Sequence, residues 1–100
     1  MVESNAPDPV VALEGELDLD TAPKLRSALS DVLQDTRVDQ VILDMSRLEF
    51  IDSTGLRILV DAVERLGERG GVLVVHRPRP STLKVLEICG LTTSVKVSPE

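Results

Sequence analysis

Ser53 is the side chain in this sequence best placed to do chemistry. It stands in the run Asp52-Ser53-Thr54-Gly55-Leu56, directly after Phe50 and Ile51. A serine hydroxyl can act as a nucleophile, a helix cap or an acceptor of phosphate. The nucleophile elbow of a hydrolase needs glycine two residues before and two residues after the serine. Here Ile51 occupies the first of those places. The sequence holds one histidine, His76, as a candidate base. Asp52-Ser53-Thr54-Gly55 also approaches the Asp-Thr-Gly run of aspartic proteases, with one residue inserted and no second loop of that kind. Asp18-Leu19-Asp20 resembles a phosphatase carboxylate pair, but no cation ligands accompany it. Two loop carboxylates ordinarily serve a turn or a helix cap.

Metal and phosphate-loop chemistry find less support. His76 and Cys89 have no partners at ligand spacing. His76 reads as a strand-end residue and Cys89 as a small core residue. Gly70-Gly71 follows a helical pattern instead of opening one, so it ends a helix and cradles no phosphate.

Ser53 therefore has two readings. In the plain one it is an N-cap, its hydroxyl accepting a bond from a first-turn N–H. In the sharper one the same position makes it a phosphorylation site. A hydroxyl at a helix start is exposed, and a phosphate there meets unpaired N–H groups and the positive end of the helix dipole. On that reading Gly55 lets the backbone of another protein come close.

The elements that must position these residues follow from composition and pattern. The chain has 100 residues, 42% of them hydrophobic, with one Phe and no Trp or Tyr. That is one domain with an aliphatic core, and it lacks the stacking platform of a single-strand binder. Seventeen acidic against eleven basic residues give a net charge of -6, which argues against nucleic acid as a partner. A single Cys fits a reducing compartment. No apolar run approaches the roughly 20 residues that span a bilayer. Met1 to Asn5 lack the basic start and apolar run of a secretory signal. The expectation is a cytoplasmic protein that needs no membrane and no cofactor.

Residues 1–9 read as a flexible N-terminus and residues 10–98 as the domain. Val10 to Leu17 is a strand with Val11, Leu13 and Leu17 on one face. Asp20 or Thr21 caps a helix with Pro23 in its first turn, and Ala22, Leu25, Leu29, Val32 and Leu33 at helical spacing. Gln40 to Met45 is a buried strand. Ser46 to Asp52 is a connection, with Leu48, Phe50 and Ile51 pointing inward. Asp52 or Ser53 opens the strongest helix, whose stripe is Leu56, Leu59, Val60, Val63 and Leu66. Val72 to Val75 is a third strand. Ser81 caps a short helix carrying Leu83, Leu86 and Ile88, with Gly90 beyond its end. Val95 and Val97 mark a last strand. Strands alternating with helices predict an α/β domain, a four-stranded, mainly parallel sheet packed with three helices and room for an added N-terminal strand.

With these elements in place, the residues resemble a known family. Gly15-Glu16-Leu17-Asp18, Thr21-Ala22, the Val41-to-Met45 strand, Asp52-Ser53-Thr54-Gly55-Leu56 and Ile88-Cys89-Gly90-Leu91 are similar to the bacterial anti-sigma factor antagonists, which are single STAS domains. The resemblance covers residues 10–97. It implies a partner switch. Such proteins bind a serine kinase that doubles as an anti-sigma factor and so release the sigma factor. The kinase uses ATP to phosphorylate the serine after the Asp, which ends binding, and a metal-dependent serine phosphatase restores it. On this chain the phosphoacceptor is Ser53, flanked by Asp52 and Thr54, with Gly55 and Leu56 in the same motif and Asp18 at the matching acidic loop position. Such a module has no catalytic activity of its own. The competing expectation is a STAS scaffold subunit in a transport or stress assembly, with Ser53 only a cap. A small hydrolase using Ser53 is a third. Arg79, in the stiff loop Arg77-Pro78-Arg79-Pro80, is a further candidate contact to the kinase or to phosphorylated Ser53.

Overall fold

The structure, a computed structural model, describes residues 8–99. The flexible N-terminus expected for residues 1–9, and any added strand there, lie outside the described residues except for Asp8 and Pro9. The elements run β1 (Val10–Leu17), α1 (Ala22–Leu33), β2 (Gln40–Ile51), α2 (Ser53–Gly67), β3 (Val72–His76), α3 (Pro80–Ile88), a 3-10 turn (Leu91–Thr93) and β4 (Lys96–Ser98). The sheet order is β1-β2-β3-β4 and every neighbouring pair is parallel. This is the α/β fold that the alternation of strands and helices predicts.

Its core is aliphatic. Val11, Leu25, Leu33, Val41, Leu43, Met45, Leu48, Leu59, Leu66, Leu73, Val75 and Leu86 are all buried to below 2% exposure. Each such Leu contributes about 1.5–3 kcal/mol by leaving water, which replaces the aromatic packing this composition lacks. Arg69 closes the C-terminal end of α1, donating to the carbonyls of Leu33 at 2.9 Å, Val38 at 3.1 Å and Asp35 at 3.2 Å. A cation at the carbonyls that end a helix is favourable by charge as well as by hydrogen bonding. Gly71 has a steric reason: a Cβ there would stand 2.5 Å from the Asp39 carbonyl oxygen.

Four expectations need correction. First, β2 does not stop at Met45 but runs to Ile51. Its register against β1 shifts twice, between Ala12 and Glu14 and between Gly15 and Glu16. Each shift inserts an extra residue into β2, as a β-bulge does. The inward positions become Met45, Leu48 and Ile51, and Phe50 is turned out to 50% exposure. Second, the buried stripe of α2 is Gly55, Ile58, Leu59, Ala62 and Leu66. Leu56 and Val63 only flank the core, and Val60 is exposed. The spacing holds but the buried face is rotated toward Gly55, which comes close to Leu17 and Ile51. Third, α3 starts two residues earlier than a Ser81 cap requires, with Arg79 at the N-cap position and Pro80 first in the helix. Fourth, Ile88 is 76% exposed and Cys89 is also exposed. The helix turns its last residues away from the sheet, and Leu91 in the following turn is buried in their place.

Candidate functional site

Two loops meet at the C-terminal ends of β1 and β2. Leu17 pairs with Ile51, and the Asp52 N–H donates to the Leu17 carbonyl at 3.1 Å. That bond places the start of α2 beside the turn between β1 and α1.

The turn is built by Asp18. Its Oδ1 accepts from the N–H groups of Asp20 at 3.0 Å and Thr21 at 3.1 Å, and its carbonyl accepts from the Ala22 N–H at 2.8 Å. Thr21 is the N-cap residue of α1 by position, yet its side chain caps no helical N–H. Its hydroxyl donates back to the Glu16 carbonyl at 2.6 Å and accepts from the Asp18 N–H at 2.9 Å. An Asp at this place fits because its short carboxylate reaches its own backbone two and three residues on.

At the start of α2 the cap is Asp52, not Ser53. Asp52 is extended (φ -105, ψ -174), and its Oδ1 accepts from the Gly55 N–H at 3.1 Å. Its carbonyl accepts from the Leu56 N–H at 3.0 Å, the first bond of the helix. Ser53 is thus the first helical residue, and it is exposed. Its hydroxyl has no hydrogen-bond partner among the described residues. Thr54 is half-buried, and Leu56 packs against the edge of the core. Gly55 has a different role from the one expected. It is buried and faces inward, where a Cβ would stand 2.7 Å from Leu17 Cγ and 3.0 Å from Ile51 Cγ1. The close approach that glycine permits here is that of α2 to its own sheet.

The structure brings Asp18, Asp52, Ser53, Thr54, Gly55 and Leu56 to one end of the domain. It does not bring Arg79 there. The Arg79 Nε donates to the Ser46 carbonyl at 3.2 Å, and from Ser46 to Ile51 is roughly 16 Å of strand. His76 pairs with Asp44 in the sheet, and its Nδ1 lies 3.2 Å from the Ser98 hydroxyl. It stands roughly 20 Å of strand away from Ser53, too far for the triad geometry. The Asp44 carboxyl is held below its ordinary range. Burial would raise it, but bonds from Ser46 and the charges of His76 and Arg77 outweigh that. This cluster is separate from Ser53.

Two residues at the Ser53 end escaped the sequence reading. Leu19, in the β1–α1 turn, is 73% exposed, and Phe50 is half exposed. Leu19 stands in the turn that leads into α1, and Phe50 lies near Ser81, Thr82 and Val85 on the α3 side. Leu19 was legible as an apolar residue between two acidic ones. Phe50 was not, because only the bulges turn it outward.

The whole chain, residues 1–100, matches the STAS domain family. It is 31% identical over 87 residues to the anti-sigma-B factor antagonist of Listeria monocytogenes, covering 87% of this chain and 75% of that protein. The solved anti-sigma factor antagonist from Mycobacterium paratuberculosis superposes with a TM-score of 0.87 at 33% identity, over 100% of this chain and 84% of that one. The Bacillus protein SpoIIAA, solved in an unphosphorylated and a phosphorylated form, superposes with TM-scores of 0.84 and 0.78 at 26% identity, over 100% of this chain and 88% and 91% of those chains. A four-stranded parallel sheet, an Asp-capped helix opening on Asp-Ser-Thr-Gly and these likenesses lead to one conclusion: the chain belongs to the anti-sigma factor antagonist family of STAS domains.

Proposed function

We propose that this protein is a phosphorylation-switched antagonist. It binds a serine-kinase anti-sigma factor, frees the sigma factor that the kinase had held, and is released when Ser53 is phosphorylated. A serine phosphatase resets it. The chain contributes a surface and a hydroxyl, with no catalytic step or cofactor of its own, and works in the cytoplasm where sigma factors act. The observation that carries this reading is the division of labour at α2: the Asp52 carboxylate caps the helix, which leaves the Ser53 hydroxyl exposed and uncommitted among the described residues. Support also comes from the related SpoIIAA, which has been solved in a phosphorylated form.

In this scheme the Ser53 oxygen attacks the terminal phosphorus of ATP, the bond to ADP breaks, and the hydroxyl proton passes to a base of the kinase. Asp18 and Asp52 shape the two turns that present the serine. Thr54, Gly55 and Leu56 set the helix against the sheet behind it. Leu19 and Phe50 give the partner apolar area on either side. Arg79 is held at Ser46, so any contact it makes with the kinase lies at the margin.

The sign of the switch follows from magnitudes. A phosphoserine adds about -1.5 to -2 charges at pH 7. At a helix N-terminus this is favourable by roughly 0.3–1 kcal/mol, and the Asp18 and Asp52 carboxylates oppose it. Like-charge contact or lost fit in a protein interface costs on the order of several kcal/mol. Binding is therefore lost while the domain stays folded. Phosphopeptide mass spectrometry of the protein from its native host, with Ser53→Ala as control, tests the reading. Phosphate on Ser53 is the expected result. Its absence through growth and stress would favour a constitutive STAS scaffold.

A further inference from the structure

Arg57 lies one turn beyond Ser53 on α2, and both residues are exposed. Residues four apart on a helix share a face, with Cβ atoms about 5–6 Å apart. Long side chains in a helix lean toward its N-terminus, so the Arg57 stem runs back toward Ser53. The Arg57 guanidinium has no ion pair or hydrogen bond among the described residues. Four of the arginines are committed elsewhere: Arg37 to Asp35, Arg47 to Glu14, Arg69 to the end of α1, and Arg79 to Ser46. Within four positions of Ser53 in either direction, Arg57 is the one base, against the acids Glu49 and Asp52.

We infer that Arg57 is the built-in counter-ion of a phosphate on Ser53. The inference rests on the reading of Ser53 as a phosphoacceptor and adds how the phosphorylated state is held. A phosphate dianion offers the planar guanidinium two oxygens at once. The pair also has the favourable order, with the acid N-terminal to the base at four residues' separation. Before phosphorylation the nearest acid on this face is Asp61, four residues further on and also exposed. That pair has the less favourable order, base before acid. Phosphorylation therefore draws Arg57 from solvent and Asp61 to the phosphate, pinning it along α2. The off state becomes a defined surface with a partly neutralised phosphate, in place of a freely rotating one.

The test installs phosphoserine at position 53 of the full chain during translation, so it does not depend on finding the kinase. Phosphorus NMR then follows the second ionisation of the phosphate in the wild type, Arg57→Gln and Arg57→Lys. The surrounding carboxylates, Asp18 and Asp20 of the β1–α1 turn, Glu49 of β2, and Asp52 and Asp61 at the ends of the segment, are common to all three. The expected result is a titration midpoint higher by roughly 0.2–0.4 pH unit in Arg57→Gln, from loss of a charged pair at this spacing, with Arg57→Lys between. The Arg57 Nε–H resonance should move on phosphorylation of the wild type. Identical midpoints in the wild type and Arg57→Gln, or an unmoved Arg57 resonance, would overturn the inference. Because Arg57 is exposed, each unmodified variant should melt with the wild type. Failure to find phosphate on Ser53 in the host would defeat the phosphoacceptor reading alone, whatever these spectra show.

Discussion

The starts of α2 and α3 look alike in sequence and are closed in different ways. Each follows a strand, and each has a serine within two residues of the helix start. At α2 the residue before the helix is Asp52, extended, with its carboxylate on the Gly55 N–H. At α3 it is Arg79, also extended (φ -66, ψ 154), but with no side-chain cap. Its guanidinium is held at Ser46 instead, and Pro80 at the first helical position removes one N–H that would need a partner. Ser53 and Ser81 are both exposed. The difference teaches that capping belongs to the residue in extended conformation just before the helix, not to the nearest serine. Where that residue is an Asp, the following serine is left free for chemistry. At α3 no acid performs that service, and the buried Thr82 hydroxyl has no partner.

The comparison can be broken or sharpened by substitution, beginning with the largest effect. Gly55→Val should lose about 3 kcal/mol through overpacking, because its side chain would collide with Leu17 and Ile51. Urea unfolding reads this directly, and a neutral result would mean that α2 is not seated on β1 and β2 as described. Asp52→Ala should lose about 1 kcal/mol as a capping loss, whereas Ser81→Ala should lose almost nothing. Equal losses at the two sites would remove the distinction between them. Thr82→Val should raise stability by about 1 kcal/mol, since an isosteric methyl replaces a buried hydroxyl without a partner. A lower melting temperature for this variant would show that the hydroxyl is satisfied in solution. Ser53→Ala has the smallest effect on stability, within about 0.5 kcal/mol as for exposed sites without special contacts. A loss near that of Asp52→Ala would make Ser53 the true cap.

Much of the fold was legible because each clue was local. Valine-rich runs, helical spacing and the Gly70-Gly71 stop are set within a few residues, and they placed every strand and helix within a few positions except the end of β2. The Ser53 motif was legible for the same reason, since Asp-Ser-Thr-Gly is contiguous. Phe50 was harder. Whether an apolar residue faces inward depends on the register of β2 against β1, and two bulges alter that register without a mark in β2's own sequence. Cys89 was misplaced because burial at the end of α3 is decided by how the chain folds back through Leu91.

By itself the sequence determined the alternation of strands and helices, the aliphatic core, the acidic balance and the serine that carries the proposed switch. All of these are properties of residue type and short-range spacing. Only the tertiary structure decided which of Asp52 and Ser53 caps the helix, that Gly55 serves internal packing, and that Arg79 stands apart from Ser53. Those outcomes depend on backbone conformation at single residues and on pairing between distant strands, and neither is encoded in any one stretch of chain.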